Sequence, residues 1–211
     1  GTIVIGSSGS QTSTGTCGSG NSAQAWNNGT NGKFNSSLSF DGSDDYVSIP
    51  DSSSLSPGTG DYSVTAYINT STNFSNPGWI FSNYGSTTNN LVGLAMLNTE
   101  LVNCQYRDLV GNSAQITSTT VLNDGNWHHL ACIRDGITVK LYIDGQLNNS
   151  VNAASVGNIN TTGRTKTIGT FGATPGSQNF NGQIDEVKIY NYALTPEQVK
   201  LDYNGGAVRF E

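Results

Sequence analysis

Charge is scarce in this chain: Asp, Glu, Lys and Arg make up 11% of its 211 residues, and the nine Lys and Arg form no cluster. A formal net charge of −6 leaves little to neutralise a phosphate backbone or an anionic lipid surface, which argues against nucleic-acid and membrane partners. No apolar run approaches the roughly 18 residues needed to cross a bilayer. The opening GTIVIGSSGS has neither the basic flank nor the long apolar stretch of a signal peptide, so any targeting segment is expected to have been removed or never included. His occurs only at 128 and 129. Cys occurs only at 17, 104 and 132, with no Cys-x-x-Cys or Cys/His spacing of a metal site. No Ser-His-Asp order, Cys-His pair or phosphate loop stands out.

Turn-forming chemistry is abundant instead. The 26 Gly and the heavy Asn, Ser and Thr content favour many strands joined by turns, because these residues supply left-handed backbone and local bonds that compete with helix. The chain reads as all-β, and its length suits one domain with a substantial core. Residues 1–36 read as a loop-rich lead-in, most extreme at GSSGSQTSTGTCGSGNS, and belong to the same domain as residues 37–211. Strand candidates then recur at regular spacing, at 37–42, 45–50, 61–69, 79–84, 91–97, 100–107, 114–120, 126–135, 138–144, 165–171 and 182–191. About eleven strands suffice for two facing sheets.

Asp135-Gly136 and Asp144-Gly145 sit between alternating runs and predict two hairpins in series, running on into the segment after Gly145. In TVKLYID, Val139, Leu141 and Ile143 share one face, while Lys140 and Tyr142 share the other. One helix is predicted, at LTPEQVKLDYN: Thr195 is a good N-cap, Pro196 suits the first helical position, and Gln198 completes a capping box. Gly205-Gly206 ends it. With three Cys, one intrachain disulfide at most can form. Cys132 in HLACI reads as a small buried apolar residue, while a Cys104–Cys132 bridge between neighbouring strands, or one from Cys17, stays open.

LSFDGSDDYVSIPDS, DYSVTAYINTS, DGNWHHLACIRDGITVKLYIDGQ and FNGQIDEVKIYNYALTPEQVKLDYN resemble, in order and spacing, the laminin-G-like jelly-roll domains of the concanavalin A-like lectin/glucanase superfamily, over roughly 37–204. The resemblance implies a two-sheet antiparallel jelly-roll sandwich with loops at the rim of its concave sheet, and one short C-terminal helix. Two departures show. The strand that opens such domains is expected to be absent, because the chain begins near the end of the polar stretch that follows it, at Gly1-Thr2; an edge of the sheet would then be unpaired or filled by another segment. Tyr67 stands where many relatives carry Trp.

Glycosidases of that superfamily carry Glu-x-Asp-x-Glu on one strand, and this chain has no such run. On period-two alternation, Asp44-Asp45 and Asp185-Glu186 put neighbouring acids on opposite faces, as His128-His129 does for the imidazoles. No catalytic residue is expected. By the resemblance, Asp185 offers a structural calcium ligand, helped by backbone carbonyls at Ser36 and Ser37; otherwise it accepts backbone N–H bonds at the strand entry. Asp41, Asp44 and Asp45 read as an Asx-type turn around Gly42, with calcium in a rim loop as the alternative. For a sugar, NFSNPGWIFSNYGSTTNN offers Phe74, Trp79 and Tyr84 beside several Asn, among them Asn83, although Trp79 suits a core equally well. Six Asn-x-Ser/Thr sequons, at Asn28, Asn35, Asn69, Asn73, Asn148 and Asn160, matter only in a host that glycosylates them. The expected function is a noncatalytic, lectin-like module, secreted or on a cell surface, for carbohydrate or an extracellular protein ligand. The alternative is a structural or adhesive domain of a larger cell-surface or pilus-type assembly.

Overall fold

The computed structural model describes residues 3–4 by their backbone, and residues 32–34, 36–84, 90–159, 161, 163, 165–172 and 177–206. Cys17, most of the lead-in and the sequons at Asn28, Asn35 and Asn160 lie outside them. The strands are β1 (Ile3–Val4), β2 (Leu38–Asp41), β3 (Val47–Ile49), β4 (Tyr62–Asn69), β5 (Gly78–Tyr84), β6 (Leu91–Met96), β7 (Leu101–Arg107), β8 (Ser113–Val121), β9 (Trp127–Asp135), β10 (Thr138–Ile143), β11 (Gln146–Asn152), β12 (Lys166–Ile168) and β13 (Asn181–Tyr190); helix α1 is Pro196–Tyr203.

They form two antiparallel sheets. The first has seven strands, in the order β1-β13-β4-β9-β10-β11 with β2 also on β13, and the second has six, in the order β3-β12-β5-β6-β7-β8. This is the jelly-roll sandwich expected from the strand spacing and the resemblance. One edge of β13 is occupied twice: β2 pairs along Asn181–Ile184, and Ile3 and Val4 pair opposite Ile189 and Lys188. The lead-in is therefore not all loop.

Apolar alternation builds the core. Val139, Leu141 and Ile143 enter it with Ile68, Leu94, Val102 and Leu130. Tyr142, on the opposite face, is covered as well, because Val199 of α1 and Leu194 close over Ala131, Ile133 and Tyr142. The helix starts as expected: the Thr195 hydroxyl accepts from Gln198 N and the Gln198 side chain accepts from Thr195 N. At the β10–β11 turn, Asp144 and Gly145 both hold positive φ, 50° and 77°, as a two-residue hairpin of this type demands.

Cys104 and Cys132 are bonded, with Cα atoms 5.6 Å apart. Cys104 lies on β7 of one sheet and Cys132 on β9 of the other, so the bridge crosses the core between sheets rather than joining neighbours within one. Cys132 is buried, but as half of a cystine and not as a free apolar residue.

Candidate functional site

Three connections meet at one end of the sandwich: the β4–β5 loop, the β2–β3 turn and the segment entering β13. The β4–β5 loop is pinned from both sides. Thr70 Oγ1 donates to Asn181 O and accepts from Thr72 N, while Asn123 Nδ2 donates to Asn73 Oδ1 at 2.9 Å. Phe74 turns inward as the loop's anchor, 7% exposed, with its ring 5.7 Å from that of Phe180. It lies so close over Gly78 that a Cβ there would meet Phe74 Cε1 at 2.3 Å.

The opposite wall comes from Gln178, Asn179 and Asn181. Gln178 Oε1 accepts from Trp79 Nε1 at 2.8 Å, Asn179 Oδ1 accepts from Thr170 Oγ1 at 2.7 Å while its amide N–H donates to Ser43 O, and Asn181 Nδ2 donates to Asp41 O at 3.0 Å. Between the walls lies a cleft of about 210 Å³ lined by Thr72, Asn73, Phe74, Ser75, Asn76, Pro77, Gln178, Asn179 and Asn181, with Gly42 at one side. Several amides are held at one end and open at the other. Asn73 and Gln178 use their carbonyl oxygens on the protein and leave their NH₂ groups unbonded, and the side chains of Asn76 and Ser75 make no hydrogen bond at all among the described residues.

Of the residues expected to contact a ligand, Phe74 lies in this cleft. Trp79 is next to it but covered: it packs with Leu91 and Ala95 on the outer face of the second sheet, its ring 4.9 Å from Phe171 and over Gly93, and Tyr84 meets Phe171 from the other side at 4.9 Å. Asn83 is fully buried and turned inward, donating to Leu55 O at 3.0 Å, and is not brought to the cleft. Gln178, Asn179 and Asn181, absent from the expected set, reach it from about a hundred residues further along the chain; the only local signal was amide richness on both segments.

The acidic neighbours behave differently from simple alternation. Asp41, Asp44 and Asp45 lie in a turn, and their carboxylates converge, with oxygens within 4.8 Å of one another. Asp41 Oδ1 accepts from Ser43 N at 2.7 Å and Asp45 Oδ2 from Asp41 N at 3.0 Å, the local backbone bonding of an Asx-type turn. Partial burial and the charges of Asp41 and Asp44 push the Asp45 carboxyl up, against the bond from Asp41 N. In β13, Glu186 holds φ 48° at a bulge between Asp185 and Lys188, which interrupts the period of two. Asp185 and Lys188 pair across from Tyr67 and Thr65, and Glu186 reaches Lys188 at 3.1 Å, so both acids lie on the sheet's outer side. The opposite-face expectation fails at both places because neither pair sits in regular strand.

Asp185 is 8% exposed; its Oδ2 accepts from Phe34 N at 3.1 Å and its Oδ1 from Glu186 N at 2.8 Å. Burial pushes its carboxyl up and these donors pull it down, with a raised net value. Ser37 is buried and Ser36 half-buried just before β2, which pairs with β13 up to Ile184. The two imidazoles face apart. His128 is clamped between Asp144 at 2.8 Å and Asp124 at 3.1 Å, while His129, fully buried, bonds Asp202 of α1 at 3.1 Å. Burial raises Asp202, but its bonds with His129 and Lys188 outweigh this and hold it at about 2. Tyr67, in the position of the expected Trp, packs on Phe34 and His129 and donates its hydroxyl to Tyr203 O.

The family described as the Concanavalin A-like lectin/glucanases superfamily, of laminin-G type, matches residues 41–200. The chain belongs to this superfamily. One curated relative is the "Sushi, von Willebrand factor type A, EGF and pentraxin domain-containing protein 1" of Rattus norvegicus, 33% identical over 98 residues that make up 43% of this chain and 3% of the rat protein. The chain thus spans a small fraction of that relative. Domain 4 of AbnA, a GH43 extracellular arabinanase from Geobacillus stearothermophilus, solved with arabinotriose, is similar at TM-score 0.59 and 24% identity, covering 82% of this chain and 78% of that one. The botulinum neurotoxin serotype D ligand binding domain, solved with N-acetylneuraminic acid, is similar at TM-score 0.64 and 18% identity, covering 83% of this chain and 43% of that one. At these identities the two structures speak for the fold alone. No helix among the described residues is long and apolar enough to cross a membrane.

Proposed function

We propose that this laminin-G-like domain is a noncatalytic, extracellular carbohydrate-binding module, and that the rim cleft seats the sugar. The observation that carries the reading is the set of amides in the cleft, Asn73 and Gln178 above all, each anchored by the protein at one end and open at the other. Sugar hydroxyls donate and accept, which suits amides, and side chains already held in place lose little entropy when they bond a ligand. The arabinotriose complex of one similar fold is in keeping with a neutral glycan. Secretion is supported by the Cys104–Cys132 bridge, since such bonds persist in oxidising compartments. Membership of a larger surface protein is supported by the multidomain name of the rat relative, of which the match covers 3%.

Catalysis is disfavoured by placement. Glycoside hydrolysis needs two carboxyl groups flanking the scissile bond. Asp41, Asp44 and Asp45 belong to one turn, and no acid among the described residues lines the cleft wall at Asn73, Asn76 and Pro77. Prolonged incubation with polysaccharides should release no reducing ends.

A glycan array followed by titration calorimetry tests the module. Asn76→Ala should weaken binding about fivefold to tenfold with an unchanged melting temperature, whereas Gln178→Ala should weaken it by as much and also lower the melting temperature, because it leaves Trp79 Nε1 without its acceptor. Silence across the array would favour the structural or adhesive role instead. We also propose calcium at Asp185, with the carbonyls of Ser36 and Ser37. What supports it is a buried carboxylate that has no ion pair among the described residues and accepts two N–H bonds where a carboxylate offers about four acceptor positions. The donor set is the hard-oxygen chemistry calcium takes. A melting temperature raised by calcium and lowered by chelator is expected; no response would leave Asp185 as backbone-bonded framework.

A further inference from the structure

Resting on the reading of the cleft as a sugar seat, we infer that the cleft selects uncharged saccharides and rejects acidic ones. Its lining residues carry amides, hydroxyls, a Pro and the buried Phe74, and none of them is Lys, Arg or His. No cation there could form an ion pair with the carboxylate of a uronic or sialic acid, which would exchange its hydration for neutral donors only. The charges that do stand beside the cleft are of the wrong sign for such a ligand. Gly42 borders the cleft within the turn that gathers Asp41, Asp44 and Asp45, and Asn179 and Asn181 fasten that turn to the cleft wall through Ser43 O and Asp41 O. Asp41 and Asp44 are exposed, and none of the three has a cationic partner among the described residues. The raised Asp45 carboxyl reflects burial together with this local excess of negative charge. The open groups, the NH₂ ends of Asn73 and Gln178 and the whole amide of Asn76, are neutral donors and acceptors matched to hydroxyl and ring oxygens.

A carboxylate on a bound sugar, roughly 8 Å from three like charges through water at low salt, loses on the order of tenfold in affinity, and by about 0.5 M salt the loss shrinks below about twofold. The test is calorimetry on the whole chain with matched pairs: galactotriose against trigalacturonate, which differ in oxidation at C6, and lactose against sialyllactose. The neutral member of each pair should bind on the order of tenfold more tightly at about 20 mM salt, with the gap narrowing as salt rises. Asp41→Asn with Asp44→Asn keeps an acceptor for Ser43 N and should raise acidic-ligand affinity severalfold while leaving the neutral ligand unchanged. Equal or tighter binding of the acidic members, or a gap that ignores both salt and the Asp substitutions, overturns the inference and leaves the sugar seat standing. If neither member of any pair binds, the sugar seat itself is refuted and the inference with it.

Discussion

Replacing Cys104 and Cys132 together by Ala opens a loop whose ends are 28 residues apart in sequence and lie on facing sheets. In the chain-entropy account, closing a loop of this size removes about 3.5 kcal/mol of freedom from the unfolded chain at 25 °C. Ala keeps the sites apolar where both sulfurs are fully buried, so no hydroxyl is stranded in the core. The two methyl groups fill less space than the cystine, and the cavity term adds to the loss instead of offsetting it. With a urea m-value of about 2.5 kcal/mol/M for a domain of this size, the midpoint should fall by about 1.4 M. Thermal unfolding should shift down by roughly 7–14 °C, from about 2–4 °C per kcal/mol. The assay is urea unfolding followed by Trp fluorescence and far-UV circular dichroism, with the oxidised parent alongside. A midpoint shift under about 0.4 M at unchanged m would correspond to less than about 1 kcal/mol. It would refute the claim that this cross-sheet bond contributes by restricting the unfolded chain.

Gly93→Ala should destabilise by about 1–3 kcal/mol, because the new methyl would stand 2.2 Å from Trp79 Cζ3 and that ring is backed by Phe171; a melting temperature equal to the parent's would contradict that packing. Asp202 has a folded-state pKa depressed to about 2, below the ordinary Asp value of about 3.9, so its contribution, on the order of 2 kcal/mol, is present above about pH 4 and is lost as pH falls towards 2. Acid titration of stability should show this loss in the parent, and Asp202→Asn should flatten it. An identical acid profile in both proteins would mean that the His129–Asp202–Lys188 cluster does not hold α1 to the sheet.

Much of the fold was readable before any coordinates. Inward Val139, Leu141 and Ile143 follow from alternation, the β10–β11 turn from Asp144-Gly145, and the helix start from Thr195, Pro196 and Gln198, because each depends on residues within a few positions of one another. The site was readable only in part. Phe74 belonged to the expected set and lies in the cleft, but Asn83, one residue before the end of β5, faces the core. A bulge between Trp79 and Phe81 shifts the register of β5 against β6, so the faces along that strand cannot be counted from its sequence.

Strand content, turn positions and the capped helix are local matters, set by steric preference and by the pairing of nearby polar groups. What joins to what across the sandwich is not local. The Cys104–Cys132 partnership, the meeting of Asn73 and Asn76 with Gln178 and Asn179, and the tandem pairing of Ile3–Val4 and Leu38–Asp41 on β13 each bring together segments far apart in sequence. Such pairings follow from the burial of two whole sheet faces against each other, and Glu186 shows the consequence at a single residue: a positive φ that no Gly announces turns two neighbouring acids to one side of the sheet.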